Sequence, residues 1–382
     1  MYFYGGDFAA AHRRHRAGEP ESYAGHDDLL ALCDDLIELD CRVRLVTFVS
    51  PEATTDRPIA GLEIVTLGMS GGLRRQMVRS AVRADTSDFI VTGFPQRELL
   101  SAALTTRARL LALLADSFNG RSLRSRLSTR SLVRLLSHER FEWVSNHCEP
   151  ATLQLADLGV PRSKLIPWNI PFSITPASHP AKSLGPGPTR RLFYAGLIAE
   201  EKGVGDLLRA VARLDGRGRP VEVRLAGSGA VDQMRALARD LGVEARVALL
   251  GQVDNPTVRR LMRASDLVIV PSRRTYPEGL PFTLFEGLAS RTPIVCSDHP
   301  MFVRHFVDGS SASQFRAGDP EALARAIELP LTDPDLYRRL SESAEATWAA
   351  LGHTADRRTM VRTWVADEHP TAWLQRHALG SR

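Results

Sequence analysis

The sequence predicts an α/β fold made of two doubly wound domains, each a parallel sheet covered by helices on both faces. Short β-rich runs alternate with longer helical patterns along most of the chain, which is typical of βα units. The alternation stops at residues 173–189, SITPASHPAKSLGPGPT, which are rich in Pro, Gly and Ser, and a second series then begins. We therefore expect one domain at 1–172, a linker at 173–189 and a second domain at 190–352.

The elements follow in order from the apolar patterns. In the first domain, β-rich runs predict strands at 1–4, 43–50, 62–68, 88–93, 109–116 and 141–146, and helical spacing predicts a helix at 26–39. In the second domain, strands are predicted at 190–196, 221–227, 247–251, 266–272 and 293–298. Helices are predicted between and after them, at 204–214, 230–242, 280–290, 321–329 and 335–351. Ligands of such sheets bind beyond the carboxyl ends of the strands, so motifs at those ends matter most.

Composition and charge narrow the classes of protein. The 382-residue chain has no run of about 20 apolar residues, the length that a membrane-spanning helix needs. The start MYFYGGDF lacks the features of a signal peptide, so we expect a cytoplasmic protein. The four cysteines form no C-x-x-C pair, which argues against a disulfide framework and structural zinc. The net charge of +5 would suit phosphate-rich ligands, nucleic acid or an anionic membrane, but no nucleic-acid-binding motif is found, and we expect no such partner.

The most informative segment is PEGLPFTLFEGLASRTPIVCSD, which contains Glu278 and Glu286. Glu278 falls in a loop after a predicted strand, and Glu286 lies about two turns into the helix that follows. Carboxylates suit sugar hydroxyls because they accept several charge-assisted hydrogen bonds. The helix start between them, near Leu280–Thr283, presents backbone N–H groups that attract phosphate. One short segment therefore offers groups for both a sugar and a diphosphate.

This segment resembles the signature of the GT-B glycosyltransferases of family 4, the "group 1" glycosyltransferases, in which two spaced glutamates precede a small-residue turn and a strand. The resemblance implies two Rossmann-like domains facing a central cleft and transfer of a sugar from a nucleotide-diphosphate donor. It implies that Glu278 is a catalytic residue that binds hydroxyls of the transferred sugar, and that Glu286 binds the ribose. The donor phosphates would lie against Gly279, Leu280, Pro281, Phe282 and Thr283.

A second stretch, YAGLIAEEKGVGDLLRAV (194–211), also resembles that family. Gly196 stands where the backbone approaches the donor, and Lys202 stands where a cation neutralises the departing diphosphate. One residue departs from the pattern, because Leu197 occupies the position of the family's arginine. We hypothesise that Arg273 or Arg274 supplies the missing charge.

Two shorter motifs agree with the same resemblance. LAGSGA (225–230) places Gly227 in the family's glycine turn between a strand and a helix. LLGQV (249–253) resembles the segment whose backbone pairs with the nucleotide base, with Val253 as the candidate residue. Neither motif alone would indicate a donor site, but both occur at the positions that the family pattern gives them relative to Glu278.

The first domain resembles the family more loosely. SYAGHDDLLALCDDL (22–36) places Gly25 where the backbone approaches the donor phosphate. Many relatives carry a histidine near the fourth or fifth strand end, and VTGFPQ and ADSFNGR carry none. Asp116 is the polar residue best placed to act there in catalysis, while His26 and His147 are also within reach. The resemblance further implies that C-terminal helices at 353–382 cross back to the first domain.

The expected reaction leaves negative charge on the diphosphate, which Lys202 and the helix start can stabilise without a metal ion. No Asp-x-Asp follows a predicted strand in the cleft. We therefore expect no metal and no cofactor, with a UDP- or GDP-sugar as co-substrate; retention at the anomeric carbon is implied by the resemblance. Two alternatives stay open, a nucleotide-sugar 2-epimerase of similar architecture and a non-catalytic nucleotide-sugar binder.

The acceptor is not identified by the sequence, and a glycan, a glycolipid and a small-molecule intermediate all stay open. Residues 121–140, RSLRSRLSTRSLVRLLSHER, interleave arginines with leucines. A basic amphipathic helix can lie on an anionic membrane or receive a phosphorylated acceptor, while a solvated arginine-rich face is the simpler alternative. The expected partners are a nucleotide sugar and a sugar-accepting molecule, with peripheral contact at the inner membrane face as a hypothesis.

Overall fold

The computed structural model describes residues 1–48, 52–68, 75–83, 86–120, 122–187, 189–351, 354–366 and 372–381. The chain divides into two compact units. The first unit contains Met1–Pro171 and His353–Arg382, and the second contains Phe172–Gly352. Each unit has a sheet and a core of its own and is described separately.

The N-terminal part of the first unit alternates strands with helices. Its strands are β1 (Tyr2–Phe3), β2 (Val43–Thr47), β3 (Ala53–Ile59), β4 (Leu62–Leu67), β5 (Phe89–Thr92), β6 (Arg109–Leu114), β7 (Phe141–His147) and β8 (Leu165–Asn169). Its helices are α1 (Phe8–Arg16), α2 (His26–Glu38), α3 (Arg75–Arg83), α4 (Arg97–Ala103), α5 (Leu123–Leu136) and α6 (Cys148–Asp157).

These strands form one sheet in the order β8-β7-β6-β5-β1-β2-β4-β3, and all neighbours are parallel except β3 and β4. The interior strand β6 is buried along nearly its whole length, as expected for a parallel strand in a sheet with helices over both faces. Strands β3 and β8 were not predicted. β3 (ATTDRPI) is polar and exposed, and β8 is a short run interrupted by Pro167, so neither has the alternation that marks a strand.

The second unit repeats the alternation. Its strands are β9 (Arg190–Ala195), β10 (Val221–Ala226), β11 (Val247–Gly251), β12 (Leu267–Val270), β13 (Ile294–Ser297) and β14 (Ser313–Phe315). Its helices are α7 (Val204–Gly216), α8 (Val231–Asp240), α9 (Asn255–Ala264), α10 (Phe282–Ala289), α11 (Pro320–Thr332), α12 (Pro334–Glu342) and α13 (Ala344–Ala350). The single helix predicted at 335–351 is therefore two helices, which meet at Ser343.

The sheet of the second unit is parallel, with the strand order β11-β10-β9-β12-β13-β14. The first strand of this unit, β9, lies in the interior of the sheet. β10 and β11 follow on one side of it, and the chain then crosses over so that β12, β13 and β14 lie on the other side. The strand order therefore reverses between β9 and β12, which is where doubly wound sheets bind their ligands. Helices α7 and α11 pack on this sheet through a fully buried apolar core that includes Leu207 and Leu323.

Residues 173–189, expected to form a linker, belong to the second unit. Pro176 is buried, and the Nζ of Lys182 donates to the carbonyls of Arg263 (2.9 Å) and Ser265 and to the hydroxyl of Thr292 (3.2 Å). Burial lowers the pKa of Lys182 to about 8. The Pro- and Gly-rich composition is typical of a segment without helices or strands, but these contacts hold the segment against the rest of the second unit.

The C-terminal segment belongs to the first unit. It contains β15 (Ala355–Asp356), α14 (Arg357–Ala366) and α15 (Ala372–His377). β15 extends the first sheet by pairing in parallel with β8. Arg357 on α14 forms a buried ion pair with Asp28 on α2, and Trp364 is fully buried. The last part of the chain therefore completes the sheet and core that the first part began.

Candidate active site

The candidate site of the second unit lies at the carboxyl ends of β9 and β12. Gly196 directly follows β9, and the loop Pro271–Glu278 follows β12. These two strands are neighbours in the sheet and lie at the point where the strand order reverses. Both predicted motifs, YAGLIAEEKG and PEGLPFTLFEG, therefore meet at one edge of one sheet.

Glycines let the loops at this edge approach each other closely. Gly227, which follows β10, has a φ of 147°, and a Cβ atom there would overlap the carbonyl oxygen of Gly196. Gly203, the residue before α7, has a φ of 76°, and a Cβ there would overlap the carbonyl oxygen of Pro271. A side chain at Gly227 would push the loop after β10 away from the loop after β9, and a side chain at Gly203 would push the segment before α7 away from the loop after β12.

Lys202 and Glu278, predicted from separate motifs, are in direct contact. The Nζ of Lys202 forms an ion pair with the Glu278 carboxylate, which is only 7% exposed, and the Ser272 hydroxyl donates to the other carboxylate oxygen. The ammonium group also lies 4.8 Å from the centre of the Tyr276 ring. A buried carboxylate is tolerated here because a cation and a hydroxyl satisfy it.

Residues that the sequence analysis did not single out hold this pair in place. The hydroxyl of Ser297, at the end of β13, donates to the backbone carbonyl of Ser272 (2.6 Å). An imidazole nitrogen of His299 lies 3.1 Å from the carbonyl oxygen of Tyr276, and burial lowers the pKa of His299. Ser272 and Ser297 stand at the carboxyl ends of predicted strands, which is the signal that could have identified them.

Helix α10 begins beside this pair. Its N-cap is Pro281, and among the described residues no side chain caps its first N–H groups. The Thr283 hydroxyl donates to the carbonyl of Ala195 at the end of β9 (3.1 Å), which fixes the helix start against the strand. Leu280, in the loop before the helix, is buried. An uncapped helix start of this kind offers N–H groups and a positive dipole end to an anion.

The remaining predicted residues of the second unit occupy different positions around this edge. Glu286 is buried on α10, in the turn after the helix start. Val253 is half-buried between β11 and α9, and the N-cap of α9 is Asp254, whose carboxylate accepts the N–H of Thr257 (2.7 Å). Gly279 lies in the loop between Glu278 and α10.

The hypothesis that Arg273 or Arg274 replaces the absent arginine is not supported by their contacts. The Arg273 guanidinium binds Asp206 (2.9 Å) and Glu200 (2.6 Å), and its pKa is raised by the bond to Asp206. Arg274 binds Asp298 (3.0 Å). Carboxylates therefore already neutralise both guanidinium groups. Leu197 is 45% exposed and brings no charge to this edge.

In the first unit, Asp116 follows β6 at the carboxyl edge of that sheet. Its backbone exchanges hydrogen bonds with the side chain of Asn146, which accepts the Asp116 N–H (3.2 Å) and donates to its carbonyl (2.8 Å). No ion pair among the described residues involves Asp116, and burial raises the pKa of its carboxyl to about 6. A group with this pKa changes its protonation state close to neutral pH.

Gly25 and His147 also lie in the first unit. Gly25 precedes α2 with a φ of 94°; its N–H donates to the Glu21 carboxylate (3.2 Å), and its carbonyl accepts from Arg357 (2.9 Å). His147 ends β7, and its imidazole Nε2 lies 3.1 Å from the side-chain oxygen of Asn169 at the end of β8. Burial lowers the pKa of His26, the first residue of α2, to about 4.

None of the helices in the described ranges combines the length and apolarity that crossing a bilayer requires. Within the same ranges, no group of three or more His, Cys, Asp or Glu side chains is arranged to hold a metal ion.

Sequence comparison relates the second unit to a known family. Residues 177–347 match the sequence profile described as "Glycosyl transferases group 1". The chain is 31% identical over 160 residues to the alpha-D-kanosaminyltransferase of Streptomyces kanamyceticus, covering 42% of this chain and 41% of that protein. It is 36% identical over 170 residues to the lipopolysaccharide core biosynthesis glycosyltransferase LpsE of Rhizobium meliloti (strain 1021), covering 44% and 47%. The chain thus matches less than half the length of these relatives.

Structure comparison covers nearly the whole chain. A sucrose-phosphate synthase from Thermosynechococcus elongatus matches 96% of this chain over 96% of its own, with a TM-score of 0.66 and 16% identity. HepE of Anabaena, solved in complex with UDP and glucose, matches 96% over 97% with a TM-score of 0.62 and 16% identity. The predicted fold class, two Rossmann-like domains of the GT-B type, is confirmed. With the profile match at 177–347, the second unit belongs to the group 1 glycosyl transferases.

Proposed function

We propose that this protein is a retaining glycosyltransferase that moves a sugar from a nucleotide-diphosphate donor, a UDP- or GDP-sugar, to an acceptor. The observation that carries the proposal is the buried Lys202–Glu278 pair beside the uncapped start of α10, at the point where the strand order of the second sheet reverses. An anion site beside a carboxylate suits a ligand that carries both phosphate and sugar hydroxyl groups.

The donor diphosphate binds at the start of α10, where N–H groups and the helix dipole favour negative charge. Lys202 then exchanges its ion pair with Glu278 for a contact with the diphosphate. The released carboxylate of Glu278 accepts hydrogen bonds from hydroxyls of the sugar, still oriented by Ser272.

Breaking the bond between the anomeric carbon and phosphate leaves negative charge on the diphosphate. Lys202 and the N–H groups of Phe282 and Thr283 stabilise this charge, which is the largest catalytic contribution that we assign. Because these donors supply the charge, we propose that no metal ion or further cofactor takes part. Asp116, with a pKa of about 6, is the residue of the first unit that we assign to catalysis.

Glu286 binds the ribose hydroxyls, and the backbone of Val253 pairs with the base. Gly25, Gly196 and Gly227 let the backbone approach the donor. The acceptor is a sugar-accepting molecule that the site does not specify, and the relatives' names include both lipopolysaccharide core and kanosaminyl transfer. We propose that the reaction takes place in the cytoplasm, where nucleotide sugars are available.

The test combines binding with turnover. Thermal unfolding is followed with UDP-glucose, GDP-mannose and the free diphosphates, because a ligand that binds only the folded protein raises its unfolding temperature. The preferred donor is then incubated with and without a chelator, and NMR follows the products. Slow hydrolysis to a sugar with the donor's anomeric configuration supports the proposal.

Three outcomes contradict it. If no nucleotide sugar raises the unfolding temperature, the proposed donor site is wrong. If the product has the inverted anomeric configuration, the reaction is not retaining. If the chelator abolishes turnover, the enzyme needs a metal ion. An epimerised donor would instead identify a 2-epimerase, and tight binding without any hydrolysis or transfer would identify a non-catalytic binder. For a variant that removes the charge of Glu278, Glu201→Gln is the matched control, since Glu201 is exposed and adjacent to Lys202.

A further inference from the structure

Helix α5 of the first unit presents a surface that the proposed reaction does not use. The helix starts after Ser122, whose hydroxyl accepts the N–H of Ser125 (3.1 Å). Its buried residues are Leu132 and Leu136, both in its C-terminal half. The side chains at 122–130 are exposed or half-buried. The first half of the helix therefore lies on the surface without anchoring in the core. Arg121, the first residue of the predicted basic segment, lies outside the described residues.

The outward face of α5 begins with two leucines. Leu123 is 79% exposed and Leu127 is 64% exposed, and these are the most exposed large apolar side chains in the described part of the chain. They lie one turn apart, and Arg130 and Arg134 continue the same stripe along the helix. The buried pair, Leu132 and Leu136, points to the opposite side. The outward leucines therefore do not form part of the core.

The same face is strongly cationic. Helix α5 contains four arginines and no acidic residue, and among the described residues none of these four takes part in an ion pair. The positive charge continues onto α4, because Arg97 and Arg124 line one groove together with Leu127 and Glu98. Arg79 of α3 lines an adjoining groove with Arg97. We call the combination of Leu123, Leu127 and the arginines at 79, 97, 124, 130 and 134 the α5 surface.

We propose that the α5 surface binds an anionic phospholipid bilayer. Arginine guanidinium groups bind lipid phosphates bidentately, and their long apolar stems reach along the helix while the charged ends stay at the headgroups. Leu123 and Leu127 enter the boundary between headgroups and acyl chains, which a polyanion such as nucleic acid would not require. Arginines without ion-pair partners in the described part of the chain, beside outward-facing leucines, therefore favour an anionic bilayer as the partner rather than nucleic acid. The proposal is independent of the transfer reaction.

The test is sedimentation of the full-length protein with vesicles of phosphatidylcholine alone and with vesicles that also contain phosphatidylglycerol. We expect binding to the anionic vesicles only, and loss of binding at high salt because the attraction is screened. Arg130→Gln and Arg134→Gln should each lower the partition coefficient about fivefold. Leu123→Ser with Leu127→Ser should lower it about tenfold or more without changing its salt dependence.

The matched controls are the single variants Arg239→Gln and Arg304→Gln and the two combined, which remove one or two positive charges from exposed positions of the second unit. They should bind vesicles like the parent protein, and thermal unfolding should show that all variants fold, since the replaced side chains are exposed. The proposal is overturned if no vesicles are bound, or if the controls weaken binding as much as the α5 variants. It is also overturned if an oligonucleotide binds as well as vesicles and is unaffected by Leu123→Ser with Leu127→Ser, because that result identifies a polyanion site.

Discussion

The carboxyl edges of the two sheets differ in how their charged side chains are paired. At the edge of the second sheet, Glu278 contacts Lys202, and Arg273 contacts Asp206 and Glu200. At the edge of the first sheet, Asp116 takes part in no ion pair among the described residues. Burial raises the pKa of the unpaired Asp116 carboxyl, whereas the Glu278 carboxylate has a cation as its partner.

The same contrast applies to arginine on the two surfaces. Arg217 on the second unit contacts Glu321 and Glu328, whereas the arginines of α5 have no carboxylate partner in the described part of the chain. Pairs on an exposed surface contribute little stability, so this difference matters more for what each surface can bind than for folding. On α5, the arginines without a carboxylate partner in the described ranges are available to bind an anionic group outside the protein.

Breaking a pair that is buried within the first unit should have the largest effect. Arg357 and Asp28 are 6% and 8% exposed, and Arg357 also donates to the carbonyl of Gly25 (2.9 Å). Arg357→Met should lower the free energy of unfolding by about 3–5 kcal/mol, because it leaves Asp28 charged and buried. Denaturant unfolding measures this, and the exposed pair Arg338–Asp335 provides the control, since Arg338→Met should cost about 1 kcal/mol at most. Equal losses in the two variants would contradict the distinction.

Breaking the Lys202–Glu278 pair should affect turnover more than folding. Glu278→Gln keeps the shape of the side chain but replaces one carboxylate oxygen, an acceptor for sugar hydroxyls in the proposed mechanism, by an NH2 donor. It also leaves Lys202 without its counter-charge. Turnover of the preferred donor should fall about a hundredfold or more, the size typical for loss of one transition-state hydrogen-bonding group. Steady-state kinetics at saturating donor measures the change, beside Glu201→Gln as control. A Glu278→Gln variant with parental turnover would remove Glu278 from the mechanism.

Removing the unpaired carboxyl should stabilise the first unit. The pKa of Asp116 is raised from 3.8 to about 6, so the folded protein holds a proton that the unfolded chain releases. Stability therefore falls as the pH rises from about 4 to 6 and is then constant. Asp116→Asn should raise the free energy of unfolding by about 1–3 kcal/mol at pH 7 and leave it unchanged near pH 4. Denaturant unfolding at both pH values tests the sign.

The same variant tests the catalytic role of Asp116. Turnover of the parent protein should change with an apparent pKa near 6, and this ionisation should be absent from the pH–rate profile of Asp116→Asn. A stabilised variant with lower turnover fits a group kept for function at the expense of stability. If the profile keeps the same ionisation, another group titrates in its place.

Replacing Arg273 should have the smallest effect on the donor. Its guanidinium is bound by Asp206 and Glu200, and Arg209 remains beside both carboxylates in the variant. Arg273→Gln should therefore cost about 1 kcal/mol of stability and raise the donor KM by less than about threefold. A tenfold rise in KM would restore the hypothesis that Arg273 takes the place of the arginine absent at Leu197.

The sequence predicted most of the elements of the second unit, since its strands and helices carry clear apolar periods. It also singled out Lys202 and Glu278, but from two motifs and without their contact. Ser272 and Ser297 were not singled out from the sequence, because serine is a common residue and these two belong to no recognisable motif. The segment 173–189 was expected to be a linker from its composition, and only the packing of Pro176 and Lys182 showed otherwise.

By itself, the sequence determined the alternation of strands and helices, the division into two sheets and the motifs at the strand ends. These features depend on apolar periods and on glycine and proline, whose effects are local. Only the tertiary structure decided which charges meet: that Glu278 faces Lys202, that Arg273 is bound by Asp206, and that the arginines of α5 have no ion-pair partner within the described ranges. The physical reason is that such pairing depends on the order of strands in a sheet and on which face of a helix is buried, and both follow from packing between distant parts of the chain.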